Sequence, residues 1–419
     1  MSFMARFEWI RFSERAFSFN FIAFCLVMFS CWFPTGFSAV FSSFAFIFAL
    51  PIFLDRLNWR CFSLFERFGL VLFGWLGLSI FWSEIGFIES IPYLLEYRLY
   101  FMLPVFSVAL SSLPNTQTCA FCAAIAGAII AMVTSYGLGF GWWTIEGAQL
   151  SLANRIYHGF IMSSLLLASL LLARHLSGIL KIMAVVVACL AAYNVLNIET
   201  GRTGYFQVIA VALIFVILTF RRLTSLVLVL GAVMLCFMAY QTFDKFNTRV
   251  NQTIANVERM IVDDDYYSSS GYRIEFYRIA LQIGTENPLG GVGVGDVTSE
   301  LSDRVVYGQL RVPTDNLHSE YMNMLVAGGV PALVLFVGFL LSVTRVGYQY
   351  RDINRLTGEA LIGIATIICV SALFNSTVKD YGEKHAVLIM LSLMASRLLA
   401  DRRRANASHP LCHEQRGQL

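Results

Sequence analysis

Charge is what this sequence has least of. Only 14% of its 419 residues are charged, whereas 57% are hydrophobic and the mean hydropathy is +0.67. A soluble globular chain carries about 25% charged residues, and a fold of this length cannot cover a water-facing surface with so few. The net charge of +3 is too small for a nucleic-acid partner, so nucleic acid is not expected as a ligand. Cysteine is no more useful as a staple. Of nine cysteines, only Cys61 and Cys412 lie outside apolar runs, and the longest polar segment has none, which excludes a disulfide there. Cys119 and Cys122 have C-x-x-C spacing, but they fall in the apolar run 118–133 with no second pair, so no metal site is expected. A cleavage site is missing as well. Arg6, Arg11 and Arg15 precede an apolar run from Ala16 in the manner of a secretory signal, but Trp32, Phe33 and Pro34 follow it, so it reads as an uncleaved first span.

What is present is a series of apolar runs about 17 to 25 residues long, the length that crosses about 30 Å of hydrocarbon. They predict an all-α integral membrane protein with about twelve transmembrane helices. The expected spans are 16–33, 37–54, 64–82, 90–111, 117–136, 155–173, 179–197, 204–220, 223–241, 318–344, 357–376 and 384–400. The tenth contains Gly328, Gly329 and Pro331 and is expected to begin as a short helix and bend. Short cytoplasmic loops collect Lys and Arg, and with the N-terminus inside the inner segments hold Arg56, Arg60, Arg67, Arg174, Lys181, Arg221, Arg222, Arg345, Arg351, Arg355 and Arg402 to Arg404. Both termini are then cytoplasmic. The domain plan is a bundle over 1–241, a large outer loop over 242–317 between spans nine and ten, a second bundle segment over 318–400, and a tail over 401–419.

A loop this long is functional or disordered, and its pattern argues for order. Phe246, Val250, Ile254, Val257 and Ile261 repeat at helical spacing, and 272–284 predicts a second helix ended by Asn287 and Pro288. Arginines on this outer side have no part in orientation, so each needs its own reason. Arg202, in Glu199-Thr-Gly-Arg-Thr-Gly-Tyr205, sits at the outer mouth of the bundle, where a guanidinium can give paired hydrogen bonds to phosphate; the bland reading is a partner for Glu199. Arg273 and Arg278 are five residues apart, about 140° around a helix, so the two are not expected to meet one ligand. The bland reading for Arg273 is a solvated pair with Glu275. His318, in Pro313-Thr-Asp-Asn-Leu-His-Ser-Glu-Tyr321, can accept a proton near neutral pH and activate a hydroxyl, with Asp315 or Asn316 to orient it. Glu320 faces away. His158, His385 and Arg98 are weaker candidates. Gly290-Gly-Val-Gly-Val-Gly295 lacks the lysine and the serine or threonine of a nucleotide loop and reads as a flexible bend. Asp263 to Asp265 read as a solvated turn.

The stretch from Arg273 to Pro331 resembles the shared domain of the O-antigen ligase and polymerase superfamily. The resemblance lies in an arginine on a loop helix, then Asn287-Pro-Leu-Gly-Gly-Val-Gly-Val-Gly295, then a histidine heading a helix with Tyr321, Leu325, Gly329 and Val330. The twelve-span plan with its long periplasmic loop is similar to the ligase branch. The resemblance implies transfer of a glycan from undecaprenyl diphosphate to a hydroxyl of the lipid A core at the periplasmic face of the bacterial inner membrane. It implies no metal, nucleotide or other cofactor, and the enzyme is expected to act as a monomer surrounded by membrane lipid. In that picture His318 matches the essential histidine, and Arg273 and Arg202 bind the diphosphate. Arg311, Arg278, Asp315 and Tyr277 are secondary candidates. Ser319 departs from the asparagine that many members carry after the histidine. A polymerase of the same superfamily is the nearest alternative, and a lipid or glycan transporter is the alternative of another class.

Overall fold

The computed structural model describes residues 35–56, 62–112, 116–145, 154–198, 201–220, 222–242, 244–263, 265–308 and 310–408. The expected first span at 16–33, the pair of Arg202 with Glu199, the middle of the acidic turn at Asp264 and the tail beyond 408 lie outside these residues. Within them every regular element is helical. The helices are α1 (Thr35–Asp55), α2 (Leu64–Ser79, extended by a 3-10 turn Ile80–Trp82), α3 (Phe87–Glu96), α4 (Leu99–Ser112), α5 (Thr116–Gly139), α6 (Arg155–His175), α7 (Gly178–Tyr193, closing in a π turn Asn194–Ile198), α8 (Arg202–Thr219), α9 (Arg222–Thr242), α10 (Asp244–Asp263), α11 (Ser269–Glu286), α12 (Val297–Val306), α13 (Glu320–Tyr350), α14 (Arg355–Phe374) and α15 (Tyr381–Ser408).

Seven of these, with the turns that extend them, are long and apolar enough to cross a membrane: α2, α5, α6, α7, α8, α13 and α14. The count is eight if α3 and α4 form one span. The chain is therefore an all-α membrane protein whose described residues carry fewer spans than the twelve expected. The run at 90–111 is not one straight helix. It breaks at Tyr97–Arg98 and turns by 54° into α4, a bend that a hydropathy window cannot see. The polar segment holds three helices rather than two, because α12 was not read from its pattern.

Lipid tails are as apolar as leucine, so close backbone packing rather than water exclusion must hold such helices together. Small residues permit that approach. A Cβ on Gly159 of α6 would meet the backbone of Gly204 in α8 at 3.1 Å, and one on Gly347 of α13 would meet the carbonyl of Gly358 in α14 at 2.7 Å. Helix α6 is the most enclosed span, with 78% of its apolar window buried, whereas α7 has 22% and turns Ile179, Ile182, Met183 and Val186 outward.

The two ends of the bundle differ. At one end, buried Glu359 accepts from Arg174 at 2.6 Å and from Arg355 at 2.9 Å, with Arg351 at 3.4 Å. There too Arg56 reaches Ser112 at 2.9 Å and Tyr350 reaches Asp401 at 2.5 Å. This end collects the arginines that sequence placed inside. The opposite end gathers the close of α2, the starts of α6, α8 and α13, the α14–α15 turn and helices α11 and α12, and this is where the candidate site lies.

Candidate functional site

The site begins with a break. Helix α13 leaves helical geometry at Gly329 (φ 69°), just before Pro331, so the carbonyls ending its first three turns lose their partners in the helix. The glycine-rich stretch supplies replacements. The N–H of Val292 donates to the Val326 carbonyl at 2.8 Å and that of Gly293 to Ala327 at 3.2 Å, while Val330 N–H donates back to the Pro288 carbonyl at 2.8 Å. On its other side the stretch docks on the close of α2. Val294 N–H donates to Ser79 at 2.9 Å, Gly295 N–H to Ser83 at 3.2 Å, and the Trp82 indole to the Gly290 carbonyl at 3.1 Å. Asp296 accepts from the N–H groups of Glu84 and Ile85. This run is therefore a packed joint, not the flexible bend expected. Backbone approach requires glycine at Gly291 and Gly293, whose φ values are +63° and +98° and whose Cβ positions fall 2.3 Å from the Val326 carbonyl and 2.4 Å from the Ser83 hydroxyl.

Fixing that joint fixes α11 above the bundle. Phe276, Ile279, Ala280 and Ile283 lie on one face and are buried, the spacing of a stripe packed on a flat partner. Arg273, Tyr277 and Arg278 flank the stripe, and they part company as the 140° separation predicts. Arg278 pairs with buried Glu275 at 2.8 and 2.9 Å, and the backbone N–H of Arg311 donates to the same carboxylate at 3.4 Å. The Arg311 guanidinium stacks on Tyr266 at 4.3 Å. Arg278 and Arg311 thus tie the two margins of the outer segment together. Glu275, the partner foreseen for Arg273, is taken by Arg278.

Arg273 turns instead toward Arg202. Its pKa is lowered from the ordinary arginine value, first by burial and then by the Arg202 charge, with Tyr277 acting in the opposite sense. Arg202, at the start of α8, donates to the Ser270 hydroxyl at 2.6 Å, which brings the α8 mouth and the start of α11 together. Tyr277 hydrogen-bonds the Leu373 carbonyl and accepts from Ser319 at 3.1 Å. Two guanidiniums from segments far apart in sequence thus lie within electrostatic reach of each other, an arrangement that favours an anion nearby.

His318 stands next to this pair. It is the one non-glycine residue among the described residues with positive φ, 48°, a backbone state uncommon for a side chain with a Cβ. The hold is local. Asn316 accepts the His318 N–H at 3.0 Å and is itself held by Ser376 at 2.5 Å, and its amide reaches Asp380 at 3.2 Å. Asn316 therefore fixes the histidine's backbone rather than its ring. The imidazole lies 6.0 Å from the Phe276 ring. Although the residue keeps an exposed edge, desolvation lowers its pKa from the ordinary 6.5 and neighbouring Arg273 lowers it further, with Asp315 opposing. The lowering favours the neutral form of the ring near pH 7. Glu320 points away, as expected, and accepts from the N–H groups of Val378 and Lys379 at 2.9 and 3.2 Å, which anchors the α14–α15 turn.

Sequence reasoning missed the other wall. A polar cavity of about 470 Å³ beside His318 is lined by Glu96, Asn154, Asp315, Asp380 and Glu383 among others. Lys379-Asp-Tyr-Gly-Glu-Lys384 places four charges at the mouth of the last apolar run, a signal that a search confined to arginine passes over. His158, 2.8 Å from Asn194, and His385, 3.4 Å from Arg98, are enclosed in the bundle and absent from the pair's surroundings. Among the described residues no three His, Cys, Asp or Glu side chains are placed to hold a metal ion.

Residues 185–337 match the family model described as O-Antigen ligase. The matched segment contains Arg202, Arg273, the glycine joint and His318, and ends before the α14–α15 turn. No curated protein matches the chain.

Proposed function

We propose, for a chain whose residues 185–337 match the family model described as O-Antigen ligase, that it is an O-antigen ligase of the ligase and polymerase superfamily. It transfers glycan from undecaprenyl diphosphate to a hydroxyl of the lipid A core at the periplasmic face of the inner membrane. The observation that supports this reading is the pair Arg202 and Arg273 beside a neutral imidazole. Two fixed cations match a diphosphate, and guanidinium forks can hold its oxygens in pairs.

His318 takes the proton from the acceptor hydroxyl as its oxygen attacks the anomeric carbon. The bond from that carbon to the diphosphate oxygen breaks, and the electron pair leaves with the undecaprenyl diphosphate, whose growing charge Arg202 and Arg273 stabilise. Attack opposite the leaving group inverts the anomeric centre. The imidazolium then returns its proton to water. The polyprenyl tail lies in the apolar surface between helices, and the chain works as a monomer.

The test is an assay with the purified full-length protein, polyprenyl-diphosphate-linked glycan and purified lipid A core. Conjugate formation supports the ligase. Longer lipid-linked glycans without conjugate identify a polymerase, and counterflow of donor without acceptor identifies a transporter.

A further inference from the structure

We infer that the polar cavity beside His318 binds the acceptor's sugar through its hydroxyl groups, and that it selects a neutral ring over a phosphorylated or carboxylated one. This rests on the transfer reaction proposed above and adds the acceptor's place in it. The cavity is built mostly outside the segment that carries the arginine pair: Glu96 closes α3, Asn154 caps α6, and Asp380 and Glu383 open α15. Thr298, Asp315 and Asn316 belong to both places, and Asn316 is the residue that holds the His318 backbone. A molecule filling the cavity therefore abuts the loop that carries His318.

The chemistry of the walls narrows the occupant. Four carboxyl groups, from Glu96, Asp315, Asp380 and Glu383, face one ammonium, Lys379, which is 3.5 Å from Glu96. Such a surplus of acidic over basic side chains disfavours a diphosphate, so the donor's headgroup belongs with the arginines and the cavity is left for the other substrate. A carboxylate accepts hydrogen bonds and a carboxylic acid also donates one; burial pushes the Glu383 carboxyl, like that of Asp380, above its ordinary range, so the wall offers both kinds of partner. Glu383 is 2% exposed; one of its oxygens takes the Asn375 amide at 2.5 Å, and the other has no hydrogen-bond partner. A buried polar atom without a partner is costly. Sugar rings offer neighbouring O–H donors that match a carboxylate in pairs, and Tyr93 and Tyr157 in the lining supply the flat apolar faces against which C–H groups pack. A phosphate or carboxylate on the same ring meets a wall with more acidic than basic side chains.

The experiment uses the full-length protein in nanodiscs and two variants. In Glu383→Gln the amide oxygen can still accept from Asn375, while the unpartnered oxygen is replaced by an N–H donor. Asp380→Asn makes the same exchange in the turn before α15 and serves where the first variant folds poorly. The expected result is an acceptor KM raised about tenfold or more in either variant with donor KM unchanged, and a preference for dephosphorylated over phosphorylated core in the wild type. Unchanged acceptor KM in both variants, or a rise in donor KM alone, overturns the assignment while leaving transfer intact. Direct titration with free dephosphorylated core oligosaccharide separates the two ideas. Binding that the variants weaken, in a protein that transfers nothing, sustains the cavity and sinks the ligase; a wild type that transfers glycan but shows no saccharide binding that either variant alters sinks the cavity.

Discussion

At the scale of single residues, the site depends on which group is charged and which is neutral. Removing the His318 side chain with His318→Ala is expected to cut conjugation by at least about a hundredfold, the usual worth of a positioned base, with insertion unchanged; full activity in the same assay removes the residue from the mechanism. Arg202→Lys and Arg273→Lys keep the charge but lose the fork, so each is expected to lower kcat/KM about tenfold or more. Equal activity with lysine at both positions ends the diphosphate clamp. The pH profile follows from a lowered imidazole pKa. A base must be neutral, so kcat/KM should climb as pH rises through that pKa and level off above it, with the climb below 6.5, the ordinary histidine value. Arg273→Gln takes away a neighbouring cation, which lets the pKa rise, and the climb should shift to higher pH. A profile that stays put shows that the two groups do not feel each other.

At the scale of elements, the sequence told most about helices and least about their interruptions. The stripe that became α10, the helical stretch that became α11 with its end at Asn287, and the bend at Gly329 were all legible, because periodicity, a capping residue and Gly-Pro spacing are local signals. The 54° break between α3 and α4 was not, although Glu96 and Arg98 interrupt the apolar run there, because one charge or two within a long window leaves its mean hydropathy high. The glycine stretch was misread as loose for a related reason: the partners that immobilise it, Ser79, Ser83, Val326 and Ala327, are supplied by other elements. A contrast of substitutions tests this joint. Gly291→Ala and Gly293→Ala put a methyl into backbone or hydroxyl at a strained φ, costing about 1–3 kcal/mol each and depressing transfer. Gly74→Ala in α2 meets nothing within 4 Å and should be neutral or gain about 1 kcal/mol from helix propensity. Similar melting temperatures for all three would show that the joint carries no weight.

At the scale of the whole molecule, the bundle has two chemically distinct ends, with the Glu359 cluster at one and Arg202 and Arg273 at the other. Sidedness can be checked directly. A cysteine introduced at Asp315 should react with a membrane-impermeant reagent added outside the inner membrane, and one at Arg403 should react only after permeabilisation; the reverse pattern puts the histidine in the cytosol and removes the lipid-linked donor from reach. What the sequence could not reveal at this scale is the polar cavity, because Glu96, Asn154, Asp315 and Asp380 come from four separate stretches. Each of those residues, taken alone, looks like an ordinary charge or cap at a helix end.

The joint at the glycine stretch has a further consequence for traffic. A cover fastened along its middle to both α2 and the kinked α13 is not built to swing open like a hinged flap, so the lipid carrier of the proposed reaction is expected to slip in sideways from the bilayer, between helices. Locking position 79 to position 294 by a disulfide, in a background cleared of the native cysteines, should then leave turnover intact.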